Sequence, residues 1–266
     1  MKIALIQFNA GQDKDDNIRR ALEFIRKAAE QRAEWVLLPE VFSFRGNLLN
    51  QEVLKQIPEA VPGTITSIFQ KAADRYQVSI LLGSIIEASA QSKPYNTSVF
   101  LHPQSSTITK YRKIHLFDAV VDDKIVREQD YFSQGIEGEV VDCGQFKVGL
   151  SICYDLRFPD LYRNYAKRGA NVLTAPSCFT KTTGQAHWET LVRARAIENL
   201  SYVLAPNQIG SDARGIQAYG HSLVVSPWGE VIARGSADKE EIIYAELSMK
   251  TIQQARAKLP GIVKDY

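Results

Sequence analysis

Apolar positions along this chain recur with two different periods. Residues 2–8 form a short apolar run of strand type, after which Ile18, Leu22, Ile25 and Ala29 recur at helical spacing. Residues 35–38 predict a short buried strand that Pro39 stops. A helix over 65–76 is entered from the turn Val61-Pro62-Gly63-Thr64. Residues 79–86, 95–101 and 107–111 predict strands joined by short polar loops, the kind that pair antiparallel inside a mixed sheet. From Lys113 to Gly138 the periodicity fades into a charged stretch expected to be irregular. Long irregular stretches in compact folds are functional or disordered. Regular pattern resumes with a strand over 147–152, a helix over 158–168 and a strand over 172–175. A long helix is expected from Ala186 to Asn199, with Trp188, Val192, Ala196 and Leu200 on one stripe. Further strands are expected over 202–205, 222–225, 230–234 and 242–247, and a last helix over 250–258. Such alternation predicts an α/β fold, one domain over 1–266, with helices covering sheet faces.

Composition narrows the function classes. The chain has 266 residues, 45% hydrophobic and 23% charged, which is ordinary for a globular protein. Its formal charge, 32 basic minus 30 acidic residues, is +2, so charge makes no case for nucleic acid or an anionic membrane. Three cysteines, Cys143, Cys153 and Cys178, are too few and too irregular for a disulfide framework and suit a reducing compartment. The first apolar run is too short for a secretory segment, and no run approaches a membrane span. A cytoplasmic location is the expectation.

Most standard signatures are missing. Neither G-x-G-x-x-G nor the P-loop pattern occurs, and His102, His115, His187 and His221 lack zinc spacing. His187-Trp188-Glu189 has the H-x-E order of zinc deaminases, yet every cysteine lies upstream of it. His187 is therefore read as a structural residue at a helix start, and no metal or cofactor is expected. What remains is Cys153, delivered by Val148-Gly149-Leu150-Ser151-Ile152 to a polar corner ahead of Pro159, a residue suited to a first helical turn. A free thiol, with a pKa of about 8.5, needs a base, a cation or a helix N-terminus to become a nucleophile. Glu40, after Pro39 at the end of an apolar strand, could serve as base, and Lys113 could hold an oxyanion. A buried thiol, a paired glutamate and a surface lysine are the alternative readings.

Three blocks then stand in order: Leu-Leu-Pro-Glu at 37–40, Lys-Tyr-Arg-Lys-Ile-His-Leu-Phe-Asp at 110–118 and Ser-Ile-Cys-Tyr-Asp-Leu-Arg-Phe-Pro at 151–159. Together they resemble the catalytic blocks of the nitrilase (carbon–nitrogen hydrolase) superfamily. The resemblance implies an αββα sandwich, assembled as αββα-αββα in a homodimer, and no cofactor. It implies that Cys153 is the nucleophile, Glu40 the general base and Lys113 the oxyanion-stabilising amine. Glu128 is implied as a fourth catalytic residue, and the Tyr154 N–H as part of the oxyanion hole. Cys153-Tyr154-Asp155-Leu156-Arg157-Phe158 resembles the amidase branch rather than true nitrilases. That branch holds deaminated-glutathione amidases, favoured by Ala205-Pro206-Asn207-Gln208 and the Arg193-Ala194-Arg195-Ala196-Ile197 block, and omega-amidases as the alternative. Both act on small 2-oxo acids bearing a distal amide. Arg157 is then the expected carboxylate partner, unless it pairs with Asp155 or Asp160, and Phe179 and Thr183 are expected in the pocket wall. Cys178 is expected there too, as a wall residue. A catalytically silent binding scaffold is the reading from another class.

Overall fold

The computed structural model describes residues 1–90, 93–121 and 124–261. In chain order its elements begin with β1 (Lys2–Gln7), α1 (Lys14–Glu30), β2 (Trp35–Leu37), α2 (Gln51–Gln56), α3 (Thr64–Tyr76), β3 (Ser79–Glu87), β4 (Tyr95–Leu101) and β5 (Ile108–Arg112). A hairpin of β6 (Asp118–Val121) and β7 (Lys124–Arg127) follows, then β8 (Val140–Cys143), β9 (Phe146–Gly149), α4 (Pro159–Lys167), β10 (Val172–Thr174) and α5 (Lys181–Asn199). The chain continues through β11 (Tyr202–Ala205), β12 (Leu223–Val225), β13 (Val231–Arg234), β14 (Glu241–Glu246) and α6 (Met249–Lys258).

Two six-stranded sheets organise these elements, in the orders β14-β1-β2-β3-β4-β5 and β13-β12-β11-β10-β9-β8. Strands β1, β2 and β3 are mutually parallel, as are β9, β10 and β11. In β1 every residue from Ile3 to Gln7 is buried, because both faces of that strand are covered. Ala4 and Ile6 join Val36 and Leu38 under Ile18, Ala21 and Ile25 of α1 and Ile65 and Phe69 of α3. Ile3, Leu5, Trp35 and Leu37 face the other way. They share a core with Val148, Leu173, Val203 and Val224 of the second sheet and with Tyr162, Tyr165, Trp188 and Val192 of α4 and α5. The layers are therefore α, β, β, α. Each fully buried aliphatic or aromatic side chain contributes about 1.5–3 kcal/mol from area removed from water.

Pattern and structure agree on element type where the period is long. Three departures have physical causes. The stretch after Lys113 is not wholly irregular: β6 and β7 pair antiparallel, with Val121 and Val126 packed on Ile216 while Val120 and Ile125 stay exposed. Four-residue strands flanked by charges give too few alternations to register as a period. The long helix starts at Lys181, five residues early, because the Thr180 hydroxyl caps it by accepting from Thr183 N. Its threonines and glycine are poor helix formers that the cap and the packing override. His187 consequently sits seven residues into α5, not at a helix start. Finally, Cys153–Arg157 is a short 3-10 turn, and α4 begins only at Pro159. The α4 dipole is therefore not at the thiol.

Candidate active site

Because β4 is antiparallel to β3 and β5 antiparallel to β4, β5 runs with β3. The carboxyl ends of β2, β5, β9, β10 and β11 therefore point to one edge of the sandwich, where ligands bind in open α/β sheets. Glu40 follows β2, Lys113 follows β5, Cys153 follows β9, Cys178 follows β10 and Gln208 follows β11. Asn96 enters the same edge from the start of the opposed strand β4. Close approach of the strands needs Gly83, since a Cβ there would stand 2.0 Å from the Leu38 carbonyl oxygen and 2.3 Å from that of Pro39. Next to it the Ser84 hydroxyl accepts from Val41 N at 2.8 Å, which fixes the chain on the other side of Glu40.

Lys113, with 1% of its area exposed, is the hub. Its Nζ donates to Glu40 Oε1 at 2.8 Å and to both oxygens of Glu128, at 3.0 and 2.8 Å. Glu40 also accepts from Asn96 Nδ2 at 3.0 Å and from Cys178 N at 2.8 Å, and Gln208 Nε2 holds its backbone carbonyl. Glu128 is held from the hairpin side, where its Oε2 accepts from Phe117 N at 2.8 Å and its own N–H returns to Phe117 O. Burial opposes charge on Lys113, but Glu128 and Glu40 outweigh it and keep the amine protonated well above its usual range. Burial, with Glu40 adding to it, raises the Glu128 carboxyl above 4.5 against the pull of Lys113. Burial and the Glu40 charge also push the Cys153 thiol well up, while Lys113 and the Cys178 amide pull it down. The sulfur thus rests protonated, with Glu40 and Lys113 sharing the cavity it lines.

The corner that carries Cys153 is strained and clamped. Cys153 has φ 48°, a left-handed backbone that a residue with a Cβ adopts at a cost of about 1–3 kcal/mol. Its N–H donates to Pro176 O at 2.9 Å, and Asp155 N closes the turn on Ile152 O at 3.1 Å. Between these, the Tyr154 N–H lies at the start of the turn, where peptide N–H groups have no intrahelical acceptor. Asp155 is fully buried and accepts four hydrogen bonds. Its Oδ2 takes Ile152 N at 2.8 Å and the Tyr111 hydroxyl at 2.7 Å, and its Oδ1 takes His115 N at 3.0 Å and His115 Nδ1 at 2.7 Å. One carboxylate therefore ties the Lys113 segment to the Cys153 turn.

These groups open on a cavity of about 110 Å³. That is small beside pockets of about 300–1,000 Å³ for drug-sized ligands, so the space suits a short acyl chain. Glu40, Lys113, Glu128, Cys153, Tyr154, Cys178, Phe179 and Thr183 all line it, which brings the predicted residues together. Arg157 is not among the lining residues; half-buried, it packs on two of them, its guanidinium carbon 5.7 Å from the Tyr154 ring centre and 5.2 Å from that of Phe179. The alternative pairing of Arg157 with Asp155 is corrected, because Tyr111, His115 and Ile152 occupy that carboxylate. No ion pair with Asp160 is present among the described residues either. Asn96 and Asp155, and Arg45 and Arg214, which line the cavity, are not singled out by the sequence pattern. Asn96 opens a run of three buried polar residues with Thr97 and Ser98 in β4, which gives it no distinguishing signal, whereas Asp155 is an acid inside the cysteine block. Arg45 and Arg214 come from loops with no period to read. No group of three or more metal-ligating side chains occurs among the described residues.

A protonated amine between two carboxylates, beside a thiol at a strained corner, can carry acyl transfer without metal or histidine. Residues 2–257 match the family described as "Carbon-nitrogen hydrolase". Human omega-amidase NIT2 is 39% identical over 260 residues, covering 97% of this chain and 92% of the relative. The mouse omega-amidase NIT2 is 38% identical over the same coverage. Among solved structures, Saccharomyces cerevisiae Nit3, described as a member of branch 10 of the nitrilase superfamily, superposes with a TM-score of 0.87. It is 32% identical and covers 98% of this chain and 94% of its own. The C. elegans NitFhit protein gives a TM-score of 0.88 at 35% identity, covering 97% of this chain and 63% of its own.

Proposed function

Given that this chain belongs to the carbon–nitrogen hydrolase family, we propose that it is an omega-amidase, hydrolysing the distal amide of a short 2-oxo dicarboxylic monoamide such as 2-oxoglutaramate. The observation that carries this is the Glu40–Lys113–Glu128 cluster beside Cys153 at the floor of a cavity of about 110 Å³. Similarity to omega-amidases favours this substrate over deaminated glutathione, whose amide carries a dipeptide as leaving group.

In the first step Cys153 Sγ bonds to the amide carbon as Glu40 takes the thiol proton. Lys113 Nζ and the Tyr154 N–H receive the oxyanion. Glu40 returns the proton to nitrogen, the C–N bond breaks and ammonia leaves a thioester on Cys153. Water, deprotonated by Glu40, then releases the 2-oxo acid and restores the thiol. Glu128 keeps Lys113 aimed and charged throughout. Arg157 receives the carboxylate of the 2-oxo acid as a bidentate fork, flanked by the aromatic walls of Tyr154 and Phe179, with Thr183 on the same side. Comparing kcat/KM for 2-oxoglutaramate, by ammonia release, with that for deaminated glutathione, by dipeptide release, tests the assignment. A higher value for deaminated glutathione would reverse it.

A homodimer is part of the same reading, supported by Ile197 of α5, Trp228 and Leu259, which are exposed although large and apolar. Light scattering on the eluted protein reads the mass directly. Three free thiols fit a cytoplasmic setting, and among the described residues no helix is long and apolar enough to cross a membrane.

A further inference from the structure

Arg157 is an arginine whose orientation decides whether it can meet a carboxylate, and arginine carries about 2 kcal/mol of rotamer entropy that must be overcome to hold it still. Two aromatic faces restrain it, Tyr154 and Phe179. The third restraint is polar: Arg157 NH1 lies 3.3 Å from His187 Nδ1. A guanidinium only donates, so the imidazole accepts through Nδ1 and carries its proton on Nε2.

The helix makes that contact possible. Thr183, which lines the cavity, and His187 are four residues apart on α5 and so share one face. The rotation of α5 is set by the next residue, Trp188, which is fully buried. Its Nε1 donates to His221 O at 2.7 Å, and its ring packs 5.0 Å from that of Phe179. With Trp188 anchored, the imidazole is presented to the guanidinium rather than to bulk water alone.

We propose that His187 is a positioning residue for the carboxylate end of the substrate, acting through Arg157 by accepting one of its N–H groups. This rests on the reading that Arg157 receives the 2-oxo acid carboxylate. Without the acceptor the guanidinium keeps its charge and its aromatic contacts but loses a fixed fork orientation. Substrate binding is weakened while the thiol chemistry, assembled on other elements, is untouched. The effect is therefore confined to amides that carry the carboxylate.

The test uses the full chain and two variants at this position. His187→Phe keeps a ring of similar size without an acceptor, and His187→Asn keeps an acceptor near the place of Nδ1. Steady-state kinetics are measured on 2-oxoglutaramate and on butyramide, a primary amide with no carboxylate. His187→Phe is expected to raise KM for 2-oxoglutaramate by about three- to tenfold, with kcat within about twofold, the size of one hydrogen bond to a charged group at a partly exposed site. Its kcat/KM loss on butyramide is expected to be at least about threefold smaller, and His187→Asn to recover most of the difference. Equal losses on both amides, a fall in kcat alone, or a His187→Asn variant as impaired as His187→Phe would overturn the proposal. Arg157→Gln on the same panel separates the two ideas. If it erases the preference for 2-oxoglutaramate while His187→Phe behaves as wild type, the His187 role fails and the Arg157 reading stands. If Arg157→Gln keeps the preference, the Arg157 reading fails and the His187 role falls with it.

Discussion

Substituting Asp155 by asparagine replaces one buried carboxylate oxygen by an NH2 group just outside the cavity lining, and the hydrogen-bond geometry sets the consequences. Each carboxylate oxygen accepts from one backbone N–H and one side-chain donor: Ile152 N and Tyr111 on Oδ2, His115 N and His115 Nδ1 on Oδ1. An amide presents one oxygen and one NH2. Whichever way it turns, its NH2 meets a peptide N–H that cannot accept, so at least one buried backbone donor is left unpaired. Each such loss costs about 1–3 kcal/mol, and the hydrogen bonds to a charged acceptor are each worth about 1.5–3 kcal/mol. Tyr111 and His115 can partly adapt by reversing their roles, so the expected loss of stability is about 2–4 kcal/mol. The same change loosens the clamp between the Lys113 segment and the strained Cys153 corner. A displacement of about 1 Å at a reacting atom costs about 10²-fold in rate, so kcat is expected to fall by about that factor with little change in KM. Urea unfolding and steady-state kinetics on 2-oxoglutaramate read both quantities. Tyr111→Phe removes one of the four bonds and also the hydroxyl that accepts from Ile114 N at 3.2 Å, a partly buried donor, so it should lose about 1–2 kcal/mol. An Asp155→Asn protein within about 0.5 kcal/mol of wild type and with unchanged kcat would refute the reasoning.

Four further outcomes are expected from the same structure. Lys113→Met leaves two buried carboxylates facing each other without their shared cation, which should cost about 3–5 kcal/mol in urea unfolding and about 10²–10³ in kcat. Cys153, its thiol pushed well above 9.0 by burial and by Glu40, should alkylate with iodoacetamide more slowly at pH 7 than a free peptide thiol. Cys178, pushed up to about 11 by burial, holds its proton more tightly folded than unfolded, so its contribution to stability is full below 9.0 and is lost as pH rises towards 11. Cys178→Ala should therefore flatten the alkaline decline of the urea midpoint between those values, and an unchanged slope would contradict this. Gly83→Ala places a methyl 2.0 Å from a backbone oxygen beside Glu40, and should lower stability by about 1–3 kcal/mol and reduce kcat together.

Legibility from sequence tracks the physics of each element. Strand β4 is readable in full at 95–101, because its Tyr95, Thr97, Val99 and Phe100 are strand-forming types that stand together between polar loops. Helix α1 is readable because one buried face repeats over several turns. The β6–β7 hairpin is not, since its burial depends on Ile216, far along the chain. The site divides the same way. Cys153, Glu40 and Lys113 each end a readable strand, so their convergence follows once the strands run parallel. Glu128 has no such strand of its own, and the family resemblance supplies it. Asp155 shows its role only when Tyr111 and His115 fold against it, a contact between segments about forty residues apart. Arg45 donates to the carbonyls of Ile209 and Gly210 across the cavity wall, a pairing between loops that no local pattern announces.

In the proposed reaction Cys153 carries the acyl group of a short amide. Intact-mass analysis of the protein quenched in acid during turnover of 2-oxoglutaramate tests it most directly. An adduct with the mass of the substrate minus ammonia is expected, located on the Cys153 peptide and missing in Cys153→Ala. Full amidase activity in Cys153→Ala, or an acyl adduct located on Cys178 instead, would contradict it.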